Sequence, residues 1–228
     1  NDIFTGQDLK MTEKIENAAS QPDQTFEKKA RERVEPLLTH LDTGDHEIEK
    51  DKIKTHFIQL WEFEDGENLS PEDQYLTTIA LFMYTSHNHM DDANIRIDKA
   101  REFITQALAS WMKPELDKII SAEKATENPF KTFVDTNVPR IDEIYTWRNF
   151  LLDHKTTSDT EWTYKMKKCW FAQFFIRFGR ADYIETACMF DKIPSEARKD
   201  YVDLKLNNLF AKLGSLCQFK YTPAKKKS

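Results

Sequence analysis

Imidazole and carboxylate side chains crowd into the seven residues from Ser86 to Asp92 (Ser-His-Asn-His-Met-Asp-Asp). Zinc and related divalent ions use these groups as ligands. On a helix, His87 and Asp91 share a face, but His87 and His89 point about 200° apart. The alternative is a helix end carrying two histidines that suit its dipole, followed by an aspartate that caps the next helix. Because no third ligand is identifiable, we predict neither a metal nor a cofactor.

Basic and aromatic residues are interleaved between Trp162 and Arg180. Single-stranded nucleic-acid grooves use cations to bind phosphates and aromatic rings to stack on bases. At about 100° per residue, however, Trp170, Phe174 and Phe178 fall on one edge of a helix, so we expect these rings in the core. The basic residues remain as a candidate phosphate-binding set: Arg148, Lys165, Lys168, Arg177 and Arg180.

The formal net charge of -6 is unevenly distributed along the chain. Residues 1–98 hold 22 acidic and 10 basic side chains, whereas residues 99–228 hold 17 acidic and 23 basic ones. No Lys or Arg occurs from Trp61 to Ile95. Such a segment repels nucleic acid and attracts a basic partner. We therefore predict a partner-binding surface at four acidic residues: Glu62, Glu64, Asp65 and Glu67.

The elements that must position these residues read as helices. Ser70, followed by Pro71 and by an acid at position 73, is the pattern of a capped helix start. Asp159 is expected to cap a long aromatic helix that reaches Gly179, and a last helix is expected over residues 195–216. With only 5 Gly and no alternating pattern that we assign to a strand, we predict an all-α, compact multi-helix domain of about nine or ten helices.

The composition further predicts two helical subdomains. Proline and asparagine break the chain near residues 125–139, which divides an acidic subdomain, residues 1–125, from a basic aromatic subdomain, residues 126–221. The tail, residues 222–228, is rich in lysine and is expected to be disordered.

Familiar catalytic signatures are missing from the sequence. It contains no Gly-x-Ser-x-Gly elbow, no phosphate-binding loop, no His-Glu-x-x-His motif and no dinucleotide fingerprint. We therefore predict a protein that is not an enzyme. The leading hypothesis is a nucleoprotein or coat protein that binds single-stranded nucleic acid, with RNA as the expected ligand, and self-associates through oppositely charged surfaces.

Two alternatives remain open. The first is a helical protein–protein interaction adaptor whose acidic segment docks a basic partner. The second is a metal-dependent enzyme at the His87–Asp92 cluster. Three scattered cysteines fit reduced thiols, and no window of the sequence is long and apolar enough for a membrane span. We expect a cytoplasmic protein with no membrane partner.

Overall fold

The computed structural model describes residues 24–208 and 216–225. Helices come first, and strands occupy the C-terminal part. In chain order the elements are α1 (Gln24–Thr39), α2 (Lys50–Phe63), α3 (Pro71–Asp92), α4 (Ile97–Lys124), α5 (Pro129–Asn137), α6 (Ile141–Ile144), β1 (Leu151–Ser158), β2 (Glu161–Lys168), α7 (Trp170–Arg177), α8 (Ile184–Glu196), β3 (Val202–Asn208) and β4 (Cys217–Pro223).

The strands form one antiparallel sheet in the order β1-β2-β4-β3. The prediction of an all-α fold with nine or ten helices is therefore wrong, and the protein combines helices with a four-stranded sheet. The sheet packs one face against the helices. Trp162, Tyr164 and Met166 of β2 are buried, while the residues between them are more exposed. This alternation places every second side chain in the core.

The first half of the predicted aromatic helix that ends at Gly179 is a β-strand. Only α7 is helical in that region, because β2 occupies residues 161–168 before it. The predicted last helix is also wrong: α8 ends at Glu196 and β3 follows. In β3, Val202 is buried and Leu204 and Leu206 are half-buried, again with a period of two. Residues 209–215 of that predicted helix lie outside the described residues.

Helix α3 is the centre of the helical part, as its apolar sequence predicts. Its start is confirmed at Ser70, whose Oγ accepts a hydrogen bond from the Asp73 amide at 3.2 Å. Asp73 also accepts a hydrogen bond from Asn149 Nδ2 at 2.8 Å, and Thr146 Oγ1 donates to Glu72 Oε1 at 2.5 Å. These contacts hold the connection between α6 and β1 against the first turn of α3.

Strand β1 lies at one edge of the sheet and pairs irregularly with β2. The register shifts between Asp153 and Thr156, and His154 has a positive φ of 50°. Such an insertion is a β-bulge, which bends the strand and increases its twist.

The division into subdomains at residue 125 stays a prediction. Strand β4 runs to Pro223, while residues 226–228 of the predicted tail lie outside the described residues. Within the described residues, no helix is long and apolar enough to cross a membrane. The cytoplasmic location stays a prediction.

Candidate active site

Asp191 on α8 carries a half-buried carboxyl group. Burial raises the pKa of Asp191 to about 7, and a hydrogen bond donated by Tyr145 acts in the opposite direction. A carboxyl group with such a pKa both accepts and releases a proton near neutral pH, which is what acid–base catalysis requires.

Tyr145 reaches Asp191 from the connection between α6 and β1. Its ring packs edge-on against Phe150, with ring centres 5.1 Å apart, and lies 6.2 Å from the ring of Tyr164. Burial raises the pKa of Tyr145 well above its usual value, and the negative charge of Asp191 raises it further. The Tyr145 hydroxyl therefore stays protonated and acts as a hydrogen-bond donor to the carboxylate.

Strands β2 and β4 supply two more hydroxyl groups. The Tyr164 and Tyr221 hydroxyl oxygens are 3.2 Å apart, and both side chains are buried. Burial raises the pKa of Tyr145 and of Tyr221, while the Tyr164 hydroxyl acts to lower the pKa of Tyr145 and the Ser195 hydroxyl acts to lower the pKa of Tyr221. Ser195 lies four residues after Asp191 on α8, so both residues share one face of that helix. The polar groups thus connect one helix face to the sheet.

Cys169 lies at the same end of the sheet, directly between β2 and α7. Its thiol is buried, and burial raises the pKa of Cys169 to about 12, with the charge of Asp191 as the next cause. The backbone amides of Ala172 and Phe171 lower this pKa by a smaller amount. The thiol is therefore protonated at neutral pH.

The four histidines and aspartates of the Ser86–Asp92 cluster do not converge. His87 points inward: its Nε2 lies 2.7 Å from Thr186 Oγ1, and its ring stacks on Tyr183 at 4.2 Å. Burial lowers the pKa of His87 to about 3, so the ring is neutral. His89 instead faces His56 of α2, with ring centres 5.4 Å apart, along a cavity of about 680 Å³.

The metal alternative gains no support from this arrangement. In the part of the chain that the structure describes, no group of three or more His, Cys, Asp or Glu side chains is placed to hold a metal ion. His87 is instead a buried histidine whose ring nitrogen has the Thr186 hydroxyl group as its partner.

The candidate phosphate-binding residues near the sheet are partly engaged within the chain. Arg148 Nη2 lies 2.8 Å from Asp73 Oδ2, and Lys168 Nζ donates to the Arg148 carbonyl oxygen at 2.5 Å. Lys165 alternates with the buried residues of β2 and lies opposite Gln218 of β4. The structure thus brings Arg148 and Lys168 together.

Arg177 and Arg180 also bind carboxylates of this chain. Arg177 donates two hydrogen bonds to Glu64, at 2.7 Å and 2.6 Å. Arg180 donates to Asp182 at 2.8 Å, and its guanidinium group lies 3.8 Å from the centre of the Tyr183 ring. Residues assigned from the sequence to two different surfaces, Arg177 and Glu64, are therefore partners.

The remaining acidic candidates lie around the turn after α2. Glu67 Oε1 accepts a hydrogen bond from Trp61 Nε1 at 3.0 Å, and Asp65 Oδ1 accepts one from Asn68 Nδ2 at 2.8 Å. Glu62 is exposed. As phosphate-binding and partner-binding residues, both candidate sets stay a prediction.

Sequence reasoning missed the site around Asp191. Asp191 is one of four charged residues of α8 and directly precedes Lys192, so nothing in the sequence of that helix singles it out. The alternation of Trp162, Tyr164 and Met166 was visible, and it would have placed the Tyr164 hydroxyl on the inner face of a sheet.

A model of the family described as L-2-amino-thiazoline-4-carboxylic acid hydrolase matches residues 79–221, which is more than half of the chain. The chain therefore belongs to this family of hydrolases. The match contains every residue of the site described above: Tyr145, Tyr164, Cys169, Asp191, Ser195 and Tyr221.

Among curated proteins, none matches the chain. Two solved structures are similar to it: the Fe(II) unliganded H-NOX protein from K. algicida and a point mutant of that protein. The first shares 10% sequence identity at a TM-score of 0.37, covering 84% of this chain and 97% of that one. The mutant shares 11% at a TM-score of 0.33, covering 86% and 88%. TM-scores this low do not establish a common fold.

Membership in a hydrolase family overturns the prediction that the protein is not an enzyme. The class of RNA-binding nucleoprotein or coat protein is corrected with it. The adaptor role, self-association and the binding of single-stranded nucleic acid or a basic protein stay predictions without support.

Proposed function

We propose that the chain hydrolyses a small ring of the 2-amino-thiazoline-4-carboxylic acid type, with Asp191 as the general base. The family description supports the reaction class. The observation that carries the choice of site is the half-buried Asp191 carboxyl group on α8, because a pKa raised by burial to about 7 suits it to proton transfer at neutral pH.

The reaction needs a base that deprotonates a water molecule as the water attacks one carbon atom of the ring. In a 2-amino-thiazoline, this carbon carries the amino group and is bonded to the ring nitrogen and the ring sulfur. The Asp191 carboxylate takes one proton from a water molecule while the water oxygen bonds to this carbon and the electron pair of the carbon–nitrogen double bond moves to the ring nitrogen. The second proton of that water passes to the ring nitrogen as the oxygen becomes a carbonyl group. The carbon–sulfur bond then breaks, because a thiolate leaves more readily than an amine nitrogen, and Asp191 returns its proton to the sulfur. One water is consumed, and a urea and a thiol are formed.

Tyr145 favours the ionised form of Asp191, because its hydroxyl acts to lower the pKa of that carboxyl group. Cys169 is protonated at neutral pH, since its pKa is raised to about 12, and a protonated thiol is a poor nucleophile. Water is therefore the better candidate for the attacking group.

The test is to incubate the purified protein with L-2-amino-thiazoline-4-carboxylic acid and to measure new thiol with a disulfide reagent. Asp191→Asn should lower turnover by roughly 100-fold or more, which is typical for loss of a general base. Asp203→Asn is the matched control, because Asp203 is an exposed aspartate on β3. A wild-type protein without thiol release would overturn the reaction, and full activity of Asp191→Asn would move the site elsewhere.

A further inference from the structure

A groove with a volume of about 860 Å³ runs between α4 and α8. Its α4 residues recur every three or four positions, which places them on one face of that helix. Asp191 does not contribute to the lining, so the groove is separate from the proposed hydrolytic site. Cavities of this size with an apolar lining accommodate small organic molecules. The apolar floor is formed by Ala109, Leu116, Ile120, Met189 and Ile193.

Ion pairs join the two helices at both ends of the groove. Arg101 Nη2 lies 3.2 Å from Glu185 Oε2 near the starts of the helices. Near their ends, Arg198 Nε donates to Glu123 Oε2 at 2.7 Å. Between these pairs, α4 contains Pro114, and a proline inside a helix bends it. The two walls are thus held by contacts outside the groove, and its shape does not depend on a ligand.

One lysine of the lining has a charge that the chain does not use. Lys192 on α8 is half-buried, and within the described ranges its ammonium group has no ion-pair or hydrogen-bond partner. The other two lysines are engaged: Lys113 pairs with Asp117 at 2.8 Å, and Lys124 pairs with Asp200 at 2.8 Å. The Lys192 ammonium group is therefore free to bind an anion.

The acidic residues of the lining do not neutralise Lys192. Asp117 is paired within α4, and Glu102 pairs with Lys99 at 2.7 Å. Glu196 follows Lys192 by one helical turn, but it is exposed to solvent. Since charges that are partly removed from water interact more strongly, Lys192 dominates the interaction with a ligand inside the groove. The groove therefore favours a negatively charged head group over a positive one.

A buried hydroxyl group in the same lining also lacks a partner. Among the described residues, Thr105 Oγ1 of α4 has no hydrogen-bond partner. Other helical threonines behave differently: Thr55 and Thr78 donate to the carbonyl oxygen four residues earlier, at 2.9 Å and 2.7 Å. A buried hydroxyl group without a partner is costly. A ligand oxygen that accepts the Thr105 proton supplies the missing partner.

Thr105 and Lys192 lie at neighbouring levels of the groove. Thr105 comes one turn after Arg101 on α4, and Lys192 comes two turns after Glu185 on α8. Because Arg101 and Glu185 are paired, the long Lys192 side chain can lean back by one turn toward Thr105. One charged donor and one neutral donor match the two oxygens of a carboxylate.

We propose that the groove between α4 and α8 binds an aliphatic carboxylate, with its chain on the apolar floor and its head group between Lys192 and Thr105. The ligand class is a fatty acid of medium chain length. The proposal does not rest on the proposed function, because the groove residues do not include the candidate catalytic group.

The experiment is isothermal titration calorimetry of the full chain with dodecanoate, below the concentration at which it forms micelles. We expect one molecule to bind per chain, and dodecan-1-ol, which has the same chain without the charge, to bind at least roughly tenfold more weakly. Lys192→Met keeps the aliphatic stem and should weaken dodecanoate binding by roughly tenfold. Lys199→Met is the matched control, because Lys199 is exposed and lies outside the groove, and it should bind as the wild type does.

Two further variants separate the head-group contacts from the apolar floor. Thr105→Val keeps the shape of the side chain and should weaken binding by roughly threefold to tenfold. Ala109→Phe fills the groove and should abolish binding, while circular dichroism checks that each variant is folded. The proposal is overturned by a wild-type protein that does not bind dodecanoate, by equal binding of the alcohol, or by equal losses in Lys192→Met and Lys199→Met. Unchanged binding in Ala109→Phe would also overturn it, because the ligand would then lie outside this groove.

Discussion

Glu123, near the end of α4, and Arg198, just after α8, form an ion pair in the interior of the protein. Arg198 Nε donates to Glu123 Oε2 at 2.7 Å, and Nη2 donates to Oε1 at 2.9 Å. Each side chain is 4% exposed. The Tyr201 hydroxyl donates a further hydrogen bond to Glu123. This pair fixes the end of α8 against α4 and so helps to hold the helix that carries Asp191.

Removing one partner of this pair should destabilise the fold strongly. Arg198→Met leaves the Glu123 carboxylate buried without its countercharge, which costs about 3–5 kcal/mol. The measurement is urea unfolding followed by circular dichroism. Arg31→Met is the control, because Arg31 pairs with Glu27 at the surface, 48% and 42% exposed, where such pairs contribute about 0–1 kcal/mol. Equal losses in the two variants would contradict the role of the buried pair.

Asp191→Asn should stabilise the protein at alkaline pH while it removes activity. The folded-state pKa of Asp191 is raised to about 7 from the usual 3.8, so the stability present below pH 4 is lost as the pH rises to 7. Asparagine does not ionise, so a protein with Asn at this position does not lose this stability as the pH rises. We expect a gain of roughly 2–4 kcal/mol at pH 8 that shrinks toward pH 4, measured by urea unfolding at both values. If the gain in unfolding free energy were the same at pH 8 and at pH 4, ionisation of Asp191 would not be what destabilises the wild-type protein.

Cys169→Ala should retain hydrolysis within about tenfold of the wild type, because the proposed attack is by water and the thiol is protonated at neutral pH. Thiol release measures turnover, and mass spectrometry of the wild-type protein during turnover should find no adduct at Cys169. Cys188→Ala, a second buried cysteine, controls for lost packing. Abolished turnover in Cys169→Ala alone, together with an adduct in the wild type, would make Cys169 the nucleophile.

His87 should make the protein sensitive to acid. Its folded-state pKa is lowered to about 3, mainly by burial, whereas the unfolded chain binds the proton near pH 6.5. Stability is therefore full above pH 6.5 and is lost as the pH falls, at about 1.4 kcal/mol per pH unit for one proton. His87→Gln should flatten the slope of unfolding free energy between pH 6.5 and 4.5 by about that amount. His154→Gln, at an exposed histidine, should leave the slope as it is.

The helical part of the fold could be predicted from the sequence because helix starts depend on residues that are close together along the chain. Ser70 and Asp73 are three residues apart, and the cap they form is the one that their spacing predicts. The sheet was missed because the pattern of β2 runs into that of α7, and a continuous aromatic segment suits a helix as well as a strand. Strand β1 has no buried face that would reveal it.

The candidate active site around Asp191 could not be predicted from one sequence, and the reason is different. Tyr145, Tyr164, Asp191 and Tyr221 come from a connecting segment, two strands and a helix that are far apart in the sequence, and only the folded chain brings β2, β4 and α8 together. Burial is what shifts the pKa of Asp191, and burial follows from those long-range contacts. The charge pattern, by contrast, was visible, but opposite charges such as Arg177 and Glu64 neutralise each other within the chain.

The bulge between Asp153 and Thr156 has a consequence for how copies of the protein behave at high concentration. An outer strand offers unpaired amide and carbonyl groups, onto which a strand of a second chain can add. The bulge and the positive φ of His154 break the regular spacing of those groups along β1. On the opposite edge, β3 exposes the charged residues Asp203 and Lys205. Both edge strands of the sheet thus resist the edge-to-edge addition of strands from other molecules, which is a route to aggregation.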